Sequence, residues 1–185
     1  MDKKSCRLQC RRVWQDLLAD PGATRALCEA FEHWLQNARL AGRLLASVPL
    51  GDELDLLGLA LEYGPTVFAP VTLAEGMEFR RIRRREESRP GFRNIPGAAP
   101  RAELLELPLN ASDLVLIPSL GASRAGYRLG RGAGYYDRWR THLEPARRLA
   151  VLPHLLAELD FPVEEHDLRL SMIVTEEGLI DLEKS

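Results

Sequence analysis

Between the apolar run Leu114-Val-Leu-Ile117 and a stretch of helical spacing that begins near Tyr135, the chain carries a segment unsuited to the interior of any helix or strand. Gly126, Gly130, Gly132 and Gly134 are interleaved there with Arg128 and Arg131, and the segment closes on Tyr135, Tyr136 and Asp137. Each glycine inside a regular element costs about 0.5–1 kcal/mol relative to alanine. A fold built from this chain must therefore run a long irregular loop out of a buried strand. Glycines admit positive φ, which lets consecutive backbone N–H groups converge on one anion. Two arginines offer forked donors to phosphate oxygens, and Asp137 is a hard oxygen ligand of the kind phosphate-bound Mg2+ accepts. The combination is the chemistry of a nucleotide-phosphate site, although glycines at this spacing on their own also suit a plain turn.

Two familiar phosphate loops are excluded. A dinucleotide fingerprint starts directly after its strand, whereas Gly130 lies well beyond Ile117. A P-loop needs a lysine after its last glycine, and the lysines of this chain are Lys3, Lys4 and Lys184. Read from the residues alone, Arg128 has two roles open to it, phosphate neutralisation or a salt bridge to a carboxylate. Asp137 likewise suits a metal or the first turn of a helix. The expected helix start near Tyr135 would itself favour an anion.

The rest of the chain alternates strands and helices. Val13, Trp14, Leu17 and Leu18 are at helical spacing over Ser5–Ala19, with Ser5 as the expected cap, and a second helix is expected from Thr24. Arg43–Val48 reads as a buried strand, Leu54–Tyr63 as a helix and Thr66–Ala69 as a strand halted by Pro70. Strands follow at Leu114–Ile117 and Arg148–Leu152, a short helix at Leu155–Leu159, and a strand pair turns at Glu177-Gly178. Strand–helix–strand succession implies parallel pairing through right-handed crossovers. The expectation is one domain, residues 1–185, of α/β class: a three-layer α/β/α Rossmann-like sandwich with a mainly parallel sheet.

Bulk properties narrow the function. A net charge of −2 gives no global attraction to nucleic acid or membrane, and no window approaches the roughly 18 apolar residues of a membrane span. The arginines of 80–93 lack the aromatic interleaving of a single-strand binder and read as a solvated edge, with a basic rim for an anionic ligand as the lesser alternative. The charged N-terminus and three cysteines suit a reducing, cytoplasmic setting. Cys6 and Cys10, one helical turn apart, read as small buried residues rather than a metal pair.

Arg128-Leu-Gly-Arg-Gly and Gly134-Tyr-Tyr-Asp137 resemble, without a gap, the signature of the 5-formyltetrahydrofolate cyclo-ligase family, also called methenyltetrahydrofolate synthetase. Lys3-Lys-Ser-Cys-Arg7, Asp52-Glu53, Met77-Glu-Phe-Arg80, Asn94-Ile-Pro96, Glu165-His-Asp167 and Ile173-Val-Thr-Glu176 extend the likeness over nearly the whole chain. The resemblance implies ATP-dependent cyclisation of 5-formyltetrahydrofolate to 5,10-methenyltetrahydrofolate by a monomer. It implies ATP and Mg2+ as cofactors and a reduced folate as substrate, with no nucleic acid or membrane partner. Nucleotide binding would fall to Lys3, Arg7, Arg128, Leu129, Gly130, Arg131, Gly132, Ala133, Gly134, Tyr135 and Tyr136. Folate binding would fall to Val48, Glu53, Arg131, Gly132, Ala133, Gly134 and Tyr135, catalysis to Arg128 and Arg131, and the metal to Asp137 and Asp167.

The chain departs from the family pattern at four places. Ala133 stands where the family has a phosphate-facing lysine, Ala122-Ser123 where it has Phe-Asp, Gly97 where it has a polar residue, and Ser119 where it has glycine. Losing one transition-state charge contact commonly costs about 3–4 kcal/mol, so the expectation is a slow enzyme. The alternative is a non-catalytic or repurposed member that binds a nucleotide or a reduced folate.

Overall fold

The computed structural model describes residues 2–184. Helix α1 (Lys3–Ala19) is capped by Asp2, whose carboxylate accepts from the amides of Lys4 and Ser5, so Ser5 is not the cap; its hydroxyl donates to Asp2 instead. Helix α2 (Pro21–Asn37) is likewise capped by an aspartate, Asp20, ahead of proline at N1. The expected cap Thr24 lies inside α2 and donates its hydroxyl to the Leu17 carbonyl, stitching the two helices together. Cys6 and Cys10 are buried on α1, where burial pushes the Cys10 thiol up to about 12 and leaves it inert. Among the described residues no helix is long and apolar enough to cross a membrane.

Seven strands form one sheet: β1 (Leu44–Leu45), β2 (Val67–Leu73), β3 (Gly76–Arg81), β4 (Leu114–Leu116), β5 (Arg147–Val151), β6 (Met172–Thr175) and β7 (Gly178–Asp181). Their order is β7-β6-β5-β4-β1-β2-β3. The five inner strands pair in parallel, and β3 and β7 close the two edges as antiparallel hairpins. Leu44, Leu45, Leu114, Val115, Leu149 and Ile173 are all 1% exposed or less, as strands covered on both faces require. Helix α3 (Leu57–Tyr63) links β1 to β2, while the short helices α4 (Tyr135–Arg138) and α5 (Arg140–Leu143) link β4 to β5. The two crossovers travel in opposite directions along the sheet, so right-handed connections put their helices on opposite faces.

Pro70 does not halt its strand. Its carbonyl accepts from the Ala98 amide, so its backbone groups point away from β3 and past the end of β1, where no ladder needs the missing N–H. The helix expected over 135–143 is two separate four-residue turns meeting at Trp139.

Asp113, immediately before β4 and 1% exposed, ties the amino ends of the two central strands together. It accepts from the Arg43 backbone amide, from Nε and one terminal nitrogen of the Arg43 guanidinium and from the Asn110 amide. Burial alone would raise its pKa, yet these bonds hold the carboxyl below the ordinary aspartate range. A depressed folded pKa contributes stability above the unfolded value and loses it as pH falls through the folded one. Asp113→Ala should therefore cost about 1.5–3 kcal/mol at neutral pH, the scale of a lost charge-assisted hydrogen bond, with Arg43 keeping only its carbonyl partners Glu106 and Pro108. In urea unfolding, the gap between wild type and variant should narrow below about pH 4, the ordinary aspartate value.

Candidate functional site

The strand order reverses between β1 and β4, because β1 leads to β2 on one side and β4 to β5 on the other. Crevices form at the carboxyl ends of the strands flanking such a reversal, and two cavities lie there. The first, about 190 Å3, is mostly apolar. It is lined by Val48, Leu50 and Glu53 from the segment after β1, by Ile117, Pro118 and Ser119 after β4, and by Arg131, Ala133, Gly134, Tyr135 and Tyr136. The second, about 550 Å3, is charged and lined by Lys3, Arg7, Leu129, Gly130, Gly132, Asp137, Arg138, Glu164, His166 and Asp167. Arg128 and Gly134 line both. The glycine loop is the wall between them.

Arg128 holds that wall in place. Its side chain is 5% exposed, and its Nε and one terminal nitrogen donate to the two oxygens of Asp137 at 3.0 and 3.1 Å. The other arm donates to the Pro118 carbonyl, at the exit of β4. Asp137 also accepts from the Leu168 amide at 3.4 Å. Burial alone would push its carboxyl up, but the guanidinium outweighs burial and keeps it ionised. A Cβ on Gly130 would meet an Arg128 nitrogen at 2.3 Å, so glycine is what lets this pair form. Gly132 and Gly134 have φ of 104° and 68°, conformations that L side chains rarely adopt. Helix α4 beyond them is a single turn, too short to carry the anion-attracting dipole expected there.

Helix α1 straps onto the loop from outside. Arg7 donates to the Gly130 carbonyl at 2.8 Å, Trp14 to the Leu120 carbonyl at 3.0 Å, and Lys3 to both oxygens of Asp167 at 2.7 and 2.9 Å. At the apolar cavity a second clasp joins the loop to the segment after β1. Arg131 donates to Glu53 at 2.8 Å and takes Asp52 with both terminal nitrogens at 2.8 and 3.0 Å. Those bonds hold the Asp52 carboxyl below its ordinary value.

The residues expected to bind folate all line the apolar cavity except Gly132, which faces the charged cleft. Of those expected to bind the nucleotide, Lys3, Arg7, Arg128, Leu129, Gly130, Gly132 and Gly134 line the charged cleft, while Arg131, Ala133, Tyr135 and Tyr136 line the apolar one. Arg138 was not singled out from the sequence. It lines the cleft, donates to the Ala133 carbonyl at 3.1 Å and lies 5.1 Å over the Tyr135 ring. Lys3 and Arg128 are neutralised by carboxylates, whereas Arg7 and Arg138 have no carboxylate partner among the described residues. The signal was available: an arginine one residue past the Tyr-Tyr-Asp run, one helical turn from Gly134.

Of the four family departures, Ala133 and Ser119 line the apolar cavity. Ala122, Ser123 and Gly97 line neither cavity; Ala122 pairs with Arg128 in a two-residue ladder, and Ser123 accepts from the Tyr127 amide. A side chain on Gly97 would strike the Pro70 carbonyl at 1.9 Å.

Asp137 and Asp167 face the same cleft from different segments. Both are hard oxygen donors, and each keeps lone pairs beyond those its cation and amide partners use. Each is of the oxygen type that a divalent cation accepts, although Lys3 and Arg128 already neutralise the two carboxylates. Glu164, His166 and Asp167 also bring ligand atoms within 4.8 Å of one another.

Residues 7–176 match the model of the 5-formyltetrahydrofolate cyclo-ligase family. A 5-formyltetrahydrofolate cyclo-ligase of Mycolicibacterium smegmatis is 33% identical over 170 residues, 83% of this chain and 84% of that protein. In fold, the chain is similar to the 5,10-methenyltetrahydrofolate synthetase of Aquifex aeolicus, with a TM-score of 0.76, 21% identity and coverage of 100% of this chain and 95% of that one. A 5,10-methenyltetrahydrofolate synthetase of Mycoplasma pneumoniae gives a TM-score of 0.71 at 18% identity, covering 95% and 99%.

The Arg128–Asp137 pair makes a prediction about stability. Asp137→Ala alone strands a buried guanidinium and should cost about 3–5 kcal/mol in denaturant unfolding, while the double variant Arg128→Met, Asp137→Leu should recover most of that loss. Equal losses for single and double variants would show that the pair does not hold the loop.

Proposed function

The chain belongs to the 5-formyltetrahydrofolate cyclo-ligase family, whose reaction is ATP-dependent cyclisation, and from that premise we propose that the apolar cavity takes the reduced folate and the charged cleft takes ATP. The observation that carries this reading is the shared wall: Arg128 and Gly134 border both cavities, so a phosphoryl group in one is a short step from an acceptor in the other. The protein acts as a single domain and a monomer in the cytoplasm, and its two buried free cysteines suit a reducing compartment.

In this reading Glu53 faces the pterin ring, and the formyl group points toward Gly134. The formyl oxygen attacks the γ-phosphorus of ATP, ADP departs, and the amide becomes an imidate phosphate. N10 then adds to the formyl carbon and loses its proton, and the C–O bond breaks with release of phosphate. The products are 5,10-methenyltetrahydrofolate, ADP and phosphate. A formyl oxygen is a poor leaving group until it is phosphorylated, so the protein's work is positioning and charge neutralisation. The flexible backbone at Gly132 and Gly134 approaches the phosphates. Arg7 and Arg138, free of carboxylates, supply the positive charge, while Arg128 positions the loop. Asp137 and Asp167 would hold Mg2+, which when bound offsets phosphate charge.

Arg138 in this scheme stands in for the lysine absent at Ala133, because its guanidinium reaches the Ala133 carbonyl from one turn away. Wild-type protein with Mg-ATP and 5-formyltetrahydrofolate should form the methenyl product, followed by its near-ultraviolet absorbance. Arg138→Ala should lower kcat by about 10²-fold, the scale of one lost transition-state donor, with little change in folate KM. Adding Ala133→Lys to that variant should restore part of the turnover. Absence of product from wild type that still binds ATP would favour a repurposed nucleotide-binding protein.

A further inference from the structure

We infer that the Tyr136 hydroxyl is a substrate-orienting donor of the apolar cavity, directed to a carbonyl oxygen on the heterocyclic edge of the folate rather than to the nucleotide. The inference rests on the assignment of folate to that cavity.

Tyr136 is 8% exposed and lines the apolar cavity, not the charged cleft. Its ring packs against two neighbours: the Phe79 ring lies 6.3 Å away in a T-shaped arrangement, and the Arg128 guanidinium lies 5.4 Å from its centroid. Its hydroxyl nevertheless has no hydrogen-bond partner. Four buried side-chain polar atoms share that condition among the described residues, the others being in Asp55, Arg147 and His154. Only the Tyr136 hydroxyl belongs to a residue lining either cavity. Leaving such a group unpaired costs about 1–3 kcal/mol, which phenylalanine in the same place would avoid. The hydroxyl is thus a liability to the empty protein and an asset only when something seats against it.

The chemistry of that ligand follows from the neighbours. Burial raises the phenol pKa; the Arg128 guanidinium pulls it back in part and the Glu53 carboxylate adds to the rise, and burial prevails, so the group remains a neutral donor at physiological pH. Glu53 is an acceptor on the same cavity and retains lone pairs after taking Arg131 and the Leu50 amide. Of the polar groups on this mostly apolar lining, Arg128 and Arg131 are committed to carboxylates, and the remaining acceptor capacity of Glu53 beside the Tyr136 donor suits a planar ring that carries an N–H beside a C=O. That is the lactam edge of a pterin. A tyrosine–glutamate pair would then read the ring's orientation, while the glycine loop handles the phosphates.

The test compares wild type with Tyr136→Phe in four measurements: melting of the ligand-free protein, calorimetric titration with 5-formyltetrahydrofolate, a separate titration with Mg-ATP, and steady-state kinetics. The variant should melt at or above the wild-type temperature. Its folate Kd and KM should rise about tenfold, the equivalent of one neutral hydrogen bond. Its ATP affinity should be unchanged and kcat should stay within about threefold, because uniform binding is what is lost. Unchanged folate affinity would overturn the inference. So would a weakened ATP titration, which would assign the hydroxyl to the nucleotide, or a lowered melting temperature with normal KM, which would make it a structural group. Wild type that binds ATP but no folate would overturn the cavity assignment itself, and this inference with it.

Discussion

A buried guanidinium facing a single carboxylate, Arg128 against Asp137, is the interaction on which the site depends. Such pairs add little net stability, because desolvation offsets most of the attraction. What this one does is select a shape. One arm of Arg128 reaches the Pro118 carbonyl at the strand exit and the others reach Asp137 at the head of α4, so both ends of the irregular loop are gripped by one rigid, planar group. The glycines between them are then free to adopt left-handed backbone without the loop becoming floppy. Gly130 has no side chain because the guanidinium occupies that space.

The sheet supplies the other half of the arrangement. Because β1 and β4 lie side by side and lead away from each other, their exits diverge and leave a crevice that neither helical layer covers. Asp113 and Arg43 fasten the opposite, amino ends of the same two strands. The frame is closed at its base and open at its top. The apolar cavity inherits its floor from the buried strands, including Leu116 and Leu149, and its polar groups from the segments that follow them. A clasp of Arg131 on Asp52 and Glu53 spans the opening.

The parallel core was legible because buried strands read as short apolar runs between turn signals, as at Leu114–Ile117. The loop was legible because few structures need glycine and arginine at that spacing. Local chemistry was less so. Asp2 and Asp20 cap the first two helices where Ser5 and Thr24 were expected, since a cap is decided by which side chain meets the first free amides, and aspartates stood one turn earlier. Pro70 continues its strand because its backbone points past the end of the short β1, which depends on a neighbour far away in sequence. The side of the loop that each residue faces was also hidden. Ala133, Tyr135 and Tyr136 turn toward the apolar cavity, while Gly132 turns toward the charged one. Positive φ at Gly132 and Gly134 reverses the chain there, and no periodicity carries across such residues. Ala122 and Ser123 belong to a small ladder outside the cavities, so their difference from the family pattern falls away from the lining.

The strap between α1 and the site has a consequence for how the molecule comes into being. Trp14, Arg7 and Lys3 bond to partners 106, 123 and 164 positions further along. Contacts of such separation carry a large loop-closure entropy and form late. During synthesis the first helix emerges long before the turn that will receive Lys3, and its apolar face must wait in contact with the second helix alone. A nascent chain halted before Asp167 would carry the glycine loop but not the far side of the charged cleft. The charged cleft is thus among the last parts of the molecule to be completed, and a half-made copy carries only one of its walls.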